Sequence, residues 1–160
     1  MIEYKTAVLL ATSIQIGAII GGANATEQKW MYSFGKNIGM AFQIQDDLLD
    51  SFGNSADTGK KVGGDILNNK KTLLLIKALN SPNRYHKELI NNWLQTSDYS
   101  EQKVDDFVRI YEESGSLKYC IQKRDYFYNL ALEDLAKTTI SEENKEKLIK
   151  FAKKSVDRIK

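Results

Sequence analysis

The sequence predicts an all-α protein, a bundle of amphipathic helices joined by short loops. Its 160 residues contain a single proline, Pro82, and its apolar residues recur mostly at spacings of three and four. That spacing places them on one face of a helix, whereas a half-buried strand would need strict alternation. No segment shows a convincing strand pattern or an internal repeat. Residues 1–160 are therefore expected to form a single all-helical domain.

Composition and charge exclude several classes of protein. With 42% hydrophobic and 28% charged residues, the chain has the composition of an ordinary globular domain. Its formal net charge of +2 is too small to indicate nucleic acid or a membrane surface as a partner. Cys120 is the only cysteine, so no intrachain disulfide can form and a cytoplasmic location is expected. The apolar run at residues 7–20 includes three polar residues and is too short to cross a bilayer.

The first two helices are expected to form the centre of the bundle. The first covers residues 3–20, is apolar nearly all round and should be buried, and it ends at Gly21 and Gly22. The second starts with a cap near Thr26 and continues to about Ser51. Small residues at four-residue steps would let the two backbones approach closely, although they could instead mark bends. These residues are Ser13, Gly17, Gly21, Gly35 and Gly39.

The second helix carries three carboxylates in the sequence FQIQDDLLD at residues 42–50. Asp46 and Asp50 lie one turn apart, Gln43 lies one turn earlier, and Asp47 is about 100° further round. Converging carboxylates repel each other unless a cation lies between them, and oxygen ligands suit Mg²⁺ or Ca²⁺ rather than zinc. The alternative is a solvated acidic turn. The flanking apolar residues favour the metal, because they leave little of this helix facing bulk water.

A loop rich in glycine and polar residues is predicted at residues 52–65. Such loops lie on the surface and carry function more often than the helices they connect. Residues 60–71 contain four lysines against one aspartate, Asp65. Lysine binds phosphate as a point charge, so this segment could neutralise a polyphosphate that the carboxylates bind through metal. The alternative is a solvated charged loop.

The rest of the chain is predicted to be helical scaffold. We expect helices over residues 70–79, 83–96, 99–113 and 116–137, and a last helix that begins at Ser141. Two glutamates follow that cap and basic residues gather at the other end, which complements the helix dipole. His86 is expected on a polar helix turn with no second His, Cys or Ser beside it, and we assign it no chemistry.

Four motifs occur in the order and spacing typical of one family. Lys5-Thr6 resembles its KT pair, the small residues from Gly17 to Gly22 resemble its small-residue helix end, and FQIQDDLLD resembles its second aspartate-rich motif. Residues 59–72, GKKVGGDILNNKKT, resemble its GK…G.D…KT segment. Over nearly all its length the chain resembles the C-terminal half of the trans-isoprenyl diphosphate synthases. These form the polyprenyl synthetase family, which includes farnesyl and geranylgeranyl diphosphate synthases.

The resemblance implies the C-terminal part of the helical isoprenoid synthase fold, Mg²⁺ as cofactor, and prenyl transfer as the reaction. A short-chain prenyltransferase, typically a homodimer, would condense an allylic diphosphate with isopentenyl diphosphate to give a longer trans-prenyl diphosphate. The implied Mg²⁺ ligands are Asp46, Asp47 and Asp50. The implied diphosphate-binding residues are Lys5, Lys60 (or Lys61 in its place) and Lys70. The implied catalytic residues are Lys5, Thr6, Gln43 and Asp46.

Within the catalytic set, the oxygen dipoles of Thr6 and Gln43 would point at the carbocation. Lys5 would neutralise diphosphate oxygens as the leaving group departs, and Asp46 would be the most demanding position. This agrees with elementary electrostatics, because expelling pyrophosphate into a low-dielectric pocket requires metal and lysine charges already in place.

The chain departs from the family in having one aspartate-rich motif, whereas the family has two on facing helices. Asp105-Asp106 lacks a third acid at the required spacing. We therefore expect a fragment of an enzyme about twice as long, inactive by itself, with apolar faces exposed where missing helices would pack. The alternative is a noncatalytic helical subunit or interaction module of a partner prenyltransferase. A terpene cyclase is a weaker alternative, because the KT pair and the lysine loop fit the synthases better.

Overall fold

The structure, a computed structural model, describes residues 2–53, 62–96 and 98–157. Within these ranges every regular element is helical and no strand occurs, which confirms the predicted all-α fold. Part of the expected surface loop, residues 54–61, lies outside the described residues. None of the described helices is both long and apolar enough to cross a membrane.

The predicted helices are present, with small differences at their ends. A π-helical segment, Glu3–Ala7, continues directly into α1 (Val8–Ile20). The longest helix, α2, is Ala25–Phe52. The others are α3 (Gly64–Leu67), α4 (Leu73–Leu79), α5 (Arg84–Leu94), α6 (Glu101–Glu113), α7 (Ser116–Ala136) and α8 (Glu142–Val156). We did not expect α3, because a single turn is too short to show helical periodicity in a sequence.

Side-chain caps determine where several of these helices begin. Backbone N–H groups in the first turns of α4, α5, α6 and α8 donate to the side chains of Thr72, Asn83, Ser100 and Ser141. Such side chains satisfy N–H groups that have no partner inside the helix. The predicted cap of α2 is wrong by two residues. The Oδ1 atom of Asn24 accepts from the N–H groups of Thr26 and Glu27, each at 3.0 Å, so Asn24 is the cap.

The described residues divide into two compact units, and α2 and α7 contribute to both. The first unit contains the described residues up to 45 together with those from 123 onward, and the second contains those from 46 to 122. The expectation of a single domain stays a prediction. The core of the first unit is formed by apolar side chains of α2, α7 and α8, namely Met31, Phe34, Ile38, Ala131, Leu135 and Ala152.

Within the first unit, α1 and α2 approach so closely that glycine is required on α2. A Cβ atom at Gly39 would lie 2.5 Å from the Cα of Ala7, and one at Gly35 would lie 2.8 Å from the Cα of Ala11. The prediction of a close approach through Gly35 and Gly39 is therefore confirmed. The predicted small partners on the first helix are wrong, since a Cβ at Gly17 would meet nothing within 4 Å.

The opposite side of α1 does not match the prediction of a buried helix. Ala11 is fully buried, but Leu9 is 73% exposed and Ile20 is 81% exposed, and Ile16 and Ile19 are also exposed. A helix that is apolar nearly all round gives no sequence signal about which face will be covered. The structure thus leaves an apolar strip on α1, formed by Leu9, Ile16, Ile19 and Ile20, which agrees with the expected exposure of an apolar face.

In the second unit, α6 is the central helix. It contacts α3, α4 and α5, and α4 also contacts α5. The rings of Phe107 and Tyr111 on α6 pack edge to face with their centroids 5.8 Å apart. Aromatic pairs in this geometry are stabilising beyond the area that they bury. The other large buried side chains here include Leu74, Ile90 and Ile110.

His86 lies in a different setting from the polar turn that we predicted. Only 4% of its surface is exposed, at the start of α5. Its Nε2 lies 2.9 Å from Oε2 of Glu113 and 3.2 Å from Nδ2 of Asn83. Its buried Nδ1 has no hydrogen-bond partner among the described residues. Through these contacts His86 is a structural residue where α5 packs against α6.

Candidate functional site

The three carboxylates of α2 occupy three different environments. Asp46 is exposed, Asp47 is buried at 7% exposure, and Asp50 is half-buried. The flanking residues Ile44 and Leu48 are buried, as predicted. The acidic segment is therefore not a fully solvated turn. Its carboxylates do not share one uniform face either, because successive residues on a helix point in directions about 100° apart.

Asp50 holds the start of the α3 segment through both its side chain and its backbone. The N–H of Asp65 donates to Oδ2 of Asp50 at 2.7 Å, and the N–H of Gly63 donates to the backbone oxygen of Asp50 at 2.6 Å. Gly63 has a φ of 85°, a left-handed value that favours glycine. A Cβ on Gly64 would lie 3.2 Å from Oδ1 of Asp50. Two glycines therefore allow the segment to approach this carboxylate closely.

Lys70 brings a positive charge to the same place. Its Nζ forms an ion pair with the carboxylate of Asp65, while its side chain remains 55% exposed. The hydrogen bond to Asp65 raises the pKa of Lys70, and the charges of Asp65, Asp50 and Asp47 act in the same direction against partial burial. Lys70 is therefore an ammonium ion beside the carboxylates and still accessible to a ligand. Within the second unit, the structure thus brings a predicted lysine close to predicted metal ligands.

The electrostatics around Asp50 suit a divalent cation. Burial raises the pKa of Asp50, and the negative charges of Asp65 and Asp46 add to this against the hydrogen bond from Asp65 and the charge of Lys70. A bound cation would remove this destabilisation of the ionised form. Carboxylate oxygens are also the ligands that Mg²⁺ prefers. The residues present therefore fit Mg²⁺.

These carboxylates would hold such an ion only in part. Across residues 2–53, 62–96 and 98–157, no group of three or more His, Cys, Asp or Glu side chains is arranged to hold a metal ion. Mg²⁺ commonly takes one or two carboxylates and completes its coordination with water and with phosphate oxygens of a substrate. The arrangement matches that pattern better than it matches a complete protein cage. The assignment of Asp46, Asp47 and Asp50 as ligands stays a prediction.

Asp47 lies near the packed interior of the second unit. Its negative charge contributes to raising the pKa of both Tyr111 and Cys120, although burial is the larger cause for each. The pKa of Cys120 reaches about 12. The hydroxyl of Tyr111 also forms a hydrogen bond with the side chain of Thr72, the cap of α4. Asp47 is thus close to α6 and α7 residues that the sequence analysis treated as scaffold.

The remaining predicted residues lie in the first unit or outside the described chain. The Oγ1 of Thr6 donates a hydrogen bond of 2.7 Å to Oε1 of Gln43, so two predicted catalytic residues on separate helical segments are in contact. Lys5 is exposed beside Thr6 in the π-helical segment. Lys60 and its alternative, Lys61, lie outside the described residues. Their predicted roles stay predictions.

Sequence reasoning missed two residues next to this site, Asn69 and Lys103. Asn69 precedes Lys70 and has a φ of 51°, and its Oδ1 accepts a hydrogen bond of 2.9 Å from Nζ of Lys103. Lys103 is completely buried. The sequence did contain a signal for the burial of Lys103. This lysine lies four residues before Phe107 and seven before Ile110, which places it on the apolar stripe of α6.

Comparisons with known proteins agree with this fold. The polyprenyl synthetase family model matches residues 1–111. The geranylgeranyl diphosphate synthase of Saccharolobus solfataricus is 34% identical over 94% of this chain and 45% of its own length. The geranylfarnesyl diphosphate synthase of Aeropyrum pernix is 33% identical over 100% of this chain and 49% of its own. The chain therefore spans about half the length of the curated relatives it matches.

A solved structure gives the same result in three dimensions. It is the geranylgeranyl pyrophosphate synthase from Corynebacterium glutamicum, complexed with isoprenyl diphosphate and magnesium. It has a TM-score of 0.89 and 28% identity, and the match covers 98% of this chain and 44% of that one. The fold of this chain is thus the all-α isoprenoid synthase fold. With the family model matching well over half of its residues, the chain belongs to the polyprenyl synthetase family.

Proposed function

We propose that this chain supplies the half of a trans-prenyl diphosphate synthase that carries the second aspartate-rich motif. The observation that carries the proposal is the arrangement of Asp50, Asp65 and Lys70. A glycine-rich segment brings the carboxylate of Asp50 and the ammonium group of Lys70 together. Backbone N–H groups of this segment donate to Asp50, and the side chain of Lys70 remains accessible. This is a chemistry for binding a metal–diphosphate complex.

The proposed reaction joins two prenyl diphosphates. The carbon–oxygen bond of an allylic diphosphate breaks, and the electron pair leaves with inorganic pyrophosphate. The double bond of isopentenyl diphosphate attacks the allylic cation, a new carbon–carbon bond forms, and a proton is lost to restore a double bond. When bound, Mg²⁺ would supply charge neutralisation for the diphosphate oxygens.

The residues of this chain have distinct roles in the proposal. Lys70 pairs with leaving diphosphate oxygens, and Lys5 and Lys60 are assigned the same role from the family resemblance. Asp46, Asp47 and Asp50 would hold Mg²⁺ in part, with diphosphate oxygens and water completing its coordination. The contact between Thr6 and Gln43 holds two side-chain oxygens in a fixed orientation, which favours stabilisation of a nearby positive charge because no reorganisation is needed during the reaction.

Binding of inorganic pyrophosphate tests the site directly in this chain. Titration calorimetry with and without Mg²⁺ should show binding that requires the metal. Asp46→Asn should weaken it by about tenfold or more, the loss of one charged contact to the metal complex. Asp105→Asn removes a charge from another exposed aspartate, on α6, and should leave binding unchanged. Metal-independent binding, or equal effects of the two substitutions, would contradict the proposal.

Prenyl transfer itself requires the part of the relatives that this chain does not match. A chimera in which this chain replaces the corresponding part of the Saccharolobus solfataricus relative should convert an allylic diphosphate and isopentenyl diphosphate into a longer product. Asp46→Ala in the chimera should abolish turnover, whereas Asp105→Ala should not. A chimera with native circular dichroism and cooperative melting that makes no product would count against the assignment.

The finer features of the proposal come from the family and from the surface of α1. We propose short-chain products, a homodimer and a cytoplasmic location. The apolar strip of α1 favours association, since large contiguous apolar patches are uncommon on monomers. The presence of a single cysteine, Cys120, which is buried, favours a reducing compartment.

A further inference from the structure

Lys103 is a buried cation in an unfavourable position for a lysine. It has 0% exposed surface and lies third in α6 after the cap residue, Ser100. The positive end of the helix dipole is at this end of the helix, so a second positive charge there is destabilising. Burial adds the cost of removing an ammonium ion from water. Specific contacts must offset both costs.

The contacts of Lys103 are to neutral oxygen atoms. Its Nζ donates to Oδ1 of Asn69 at 2.9 Å and to the backbone oxygen of Asp98 at 3.3 Å. No carboxylate in the part of the chain that the structure describes lies within ion-pair distance of it. The nearest electrostatic effect is on Asp98, whose pKa is lowered by hydrogen bonds with Ser100 and, to a smaller extent, by the charge of Lys103. A lysine that served only to stabilise the fold would be expected to pair with a carboxylate when buried. The chief side-chain partner of Lys103 is instead a turn residue.

That turn residue sets the backbone conformation immediately before Lys70. Asn69 has a φ of 51°, and in the described residues it is the one non-glycine residue with a positive φ. Asparagine tolerates the left-handed region better than most residues, but the conformation still needs support. The N–H of Asn69 donates to the backbone oxygen of Ile66, and the N–H of Lys70 donates to that of Asp65. The turn thereby directs Lys70 back toward Asp65.

We propose that Lys103 is a positioning residue that acts through Asn69 on Lys70. Its ammonium group holds the Asn69 side chain, the held side chain keeps the left-handed turn, and the turn keeps Lys70 beside Asp65 and the carboxylates of α2. The inference rests on the proposed function in one respect, which is that Lys70 binds diphosphate. It goes beyond that function because Lys103 is 33 positions further along the chain and has no role in the resemblance.

Amide hydrogen exchange tests the positioning step without any ligand. Lys103→Met keeps the length of the side chain and removes the donor, so the amides of Asn69 and Lys70 should exchange about tenfold faster. Lys118→Met makes the same chemical change at an exposed position of the second unit and serves as the matched control. Asn69→Gly removes the acceptor while tolerating a positive φ. Because this glycine needs no support, Lys103→Met should have no further effect on exchange at Lys70 in the Asn69→Gly background. Lys103→Gln, which removes the charge and shortens the donor, replaces Lys103→Met if the latter folds poorly. A further effect in the glycine background, or unchanged exchange at Lys70 in the folded single variant at position 103, would overturn the proposal.

A double-mutant cycle tests the link to Lys70. With inorganic pyrophosphate and Mg²⁺ as the probe, Lys103→Met should weaken binding about three- to tenfold in the native background and have no further effect in a Lys70→Ala background. Additive effects would indicate a general structural role and overturn the proposal. If Lys70→Ala alone has no effect on pyrophosphate binding, the proposed function fails at Lys70. Exchange at Asn69 still decides the positioning step in that case.

Discussion

Thr6 and Gln43 are in contact through a hydrogen bond of 2.7 Å, although 37 positions separate them in the chain. We predict that Thr6→Val, which keeps the shape of the side chain, lowers the free energy of unfolding by about 1 kcal/mol because Oε1 of Gln43 loses a donor. Chemical denaturation measures the change. Replacing both partners, as Thr6→Val with Gln43→Leu, should cost less than the sum of the single changes. Strict additivity would mean that the bond contributes nothing.

Gly39 should be the least replaceable glycine in the contact between α1 and α2. Gly39→Ala would place a Cβ 2.5 Å from the Cα of Ala7, so α1 must shift and we expect a loss of about 2–3 kcal/mol. Gly17→Ala is the matched control, since nothing lies within 4 Å of that position. It should stabilise the protein by up to about 1 kcal/mol through helix propensity. Similar denaturation midpoints for the two variants would contradict the observed packing.

Asp134 is expected to be the most sensitive carboxylate of the first unit. It is buried, and its Oδ2 accepts hydrogen bonds from Ser33 and Asn37 of α2, while its Oδ1 accepts one from Lys137. Asp134→Ala leaves these donors without their acceptor and should lower the free energy of unfolding by about 2–3 kcal/mol. Glu133→Ala, at an exposed neighbouring position, should change it by less than about 0.5 kcal/mol. Thermal melting of both variants compares them directly.

Cys120 should make stability fall at alkaline pH. Burial, with a smaller contribution from Asp47, raises the pKa of the folded thiol from 9.0 to about 12. Below pH 9 the thiol is protonated in both states, whereas between pH 9 and 12 it ionises only when the chain is unfolded. The unfolded state is then favoured by about 1.4 kcal/mol per pH unit.

The measurement for this prediction is the free energy of unfolding at pH 8 and pH 10. Cys120→Ala should be less stable than the native chain at pH 8, because a buried group is lost, but should show a smaller decrease between the two pH values. Most other titrating groups are common to both proteins and cancel in the comparison. The exception is Tyr111, whose pKa is raised mainly by burial and to a small extent by Cys120. Parallel curves would show that the thiol ionises equally in the folded and unfolded states.

The apolar strip of α1 should promote self-association. Leu9 and Ile20 are among its most exposed members. Replacing both with lysine should shift the chain toward smaller species in analytical ultracentrifugation and reduce binding of an apolar dye. Tyr85→Lys and Tyr99→Lys, which alter exposed aromatic residues of the second unit, serve as controls and should have smaller effects.

Much of the fold could be predicted because helices leave local signals. Apolar spacing located the long helices, and Ser141 marked a start that the structure confirms to the residue. The cap of α2 was missed because Asn24 and Thr26 are both good capping residues and only the backbone decides between them. The burial of α1 was overestimated because covering a helix depends on other elements, not on its own composition.

The site was predictable to the extent that its residues form compact motifs. Asp50, Asp65 and Lys70 lie within 21 positions of one another, and the structure brings them together. Contacts between distant positions were not predictable. An example is the contact between Lys103 and Asn69, which lie 34 positions apart in the chain. Nothing local distinguishes a buried lysine from a solvated one except its place on an apolar stripe.

The π-helical segment Glu3–Ala7 also affects where the first motif residues point. A π-turn holds one residue more than an α-turn, so such a segment is equivalent to a single-residue insertion that rotates the preceding chain by roughly 100° about the helix axis. Lys5 and Thr6 belong to it, and their angular phase relative to α1 differs from that of a continuous α-helix. Removing one residue from this segment would change that phase while leaving the composition almost untouched. The residue types of the KT pair and the direction in which their side chains point therefore depend on different features of the chain. A sequence alignment shows the residue types but not the direction.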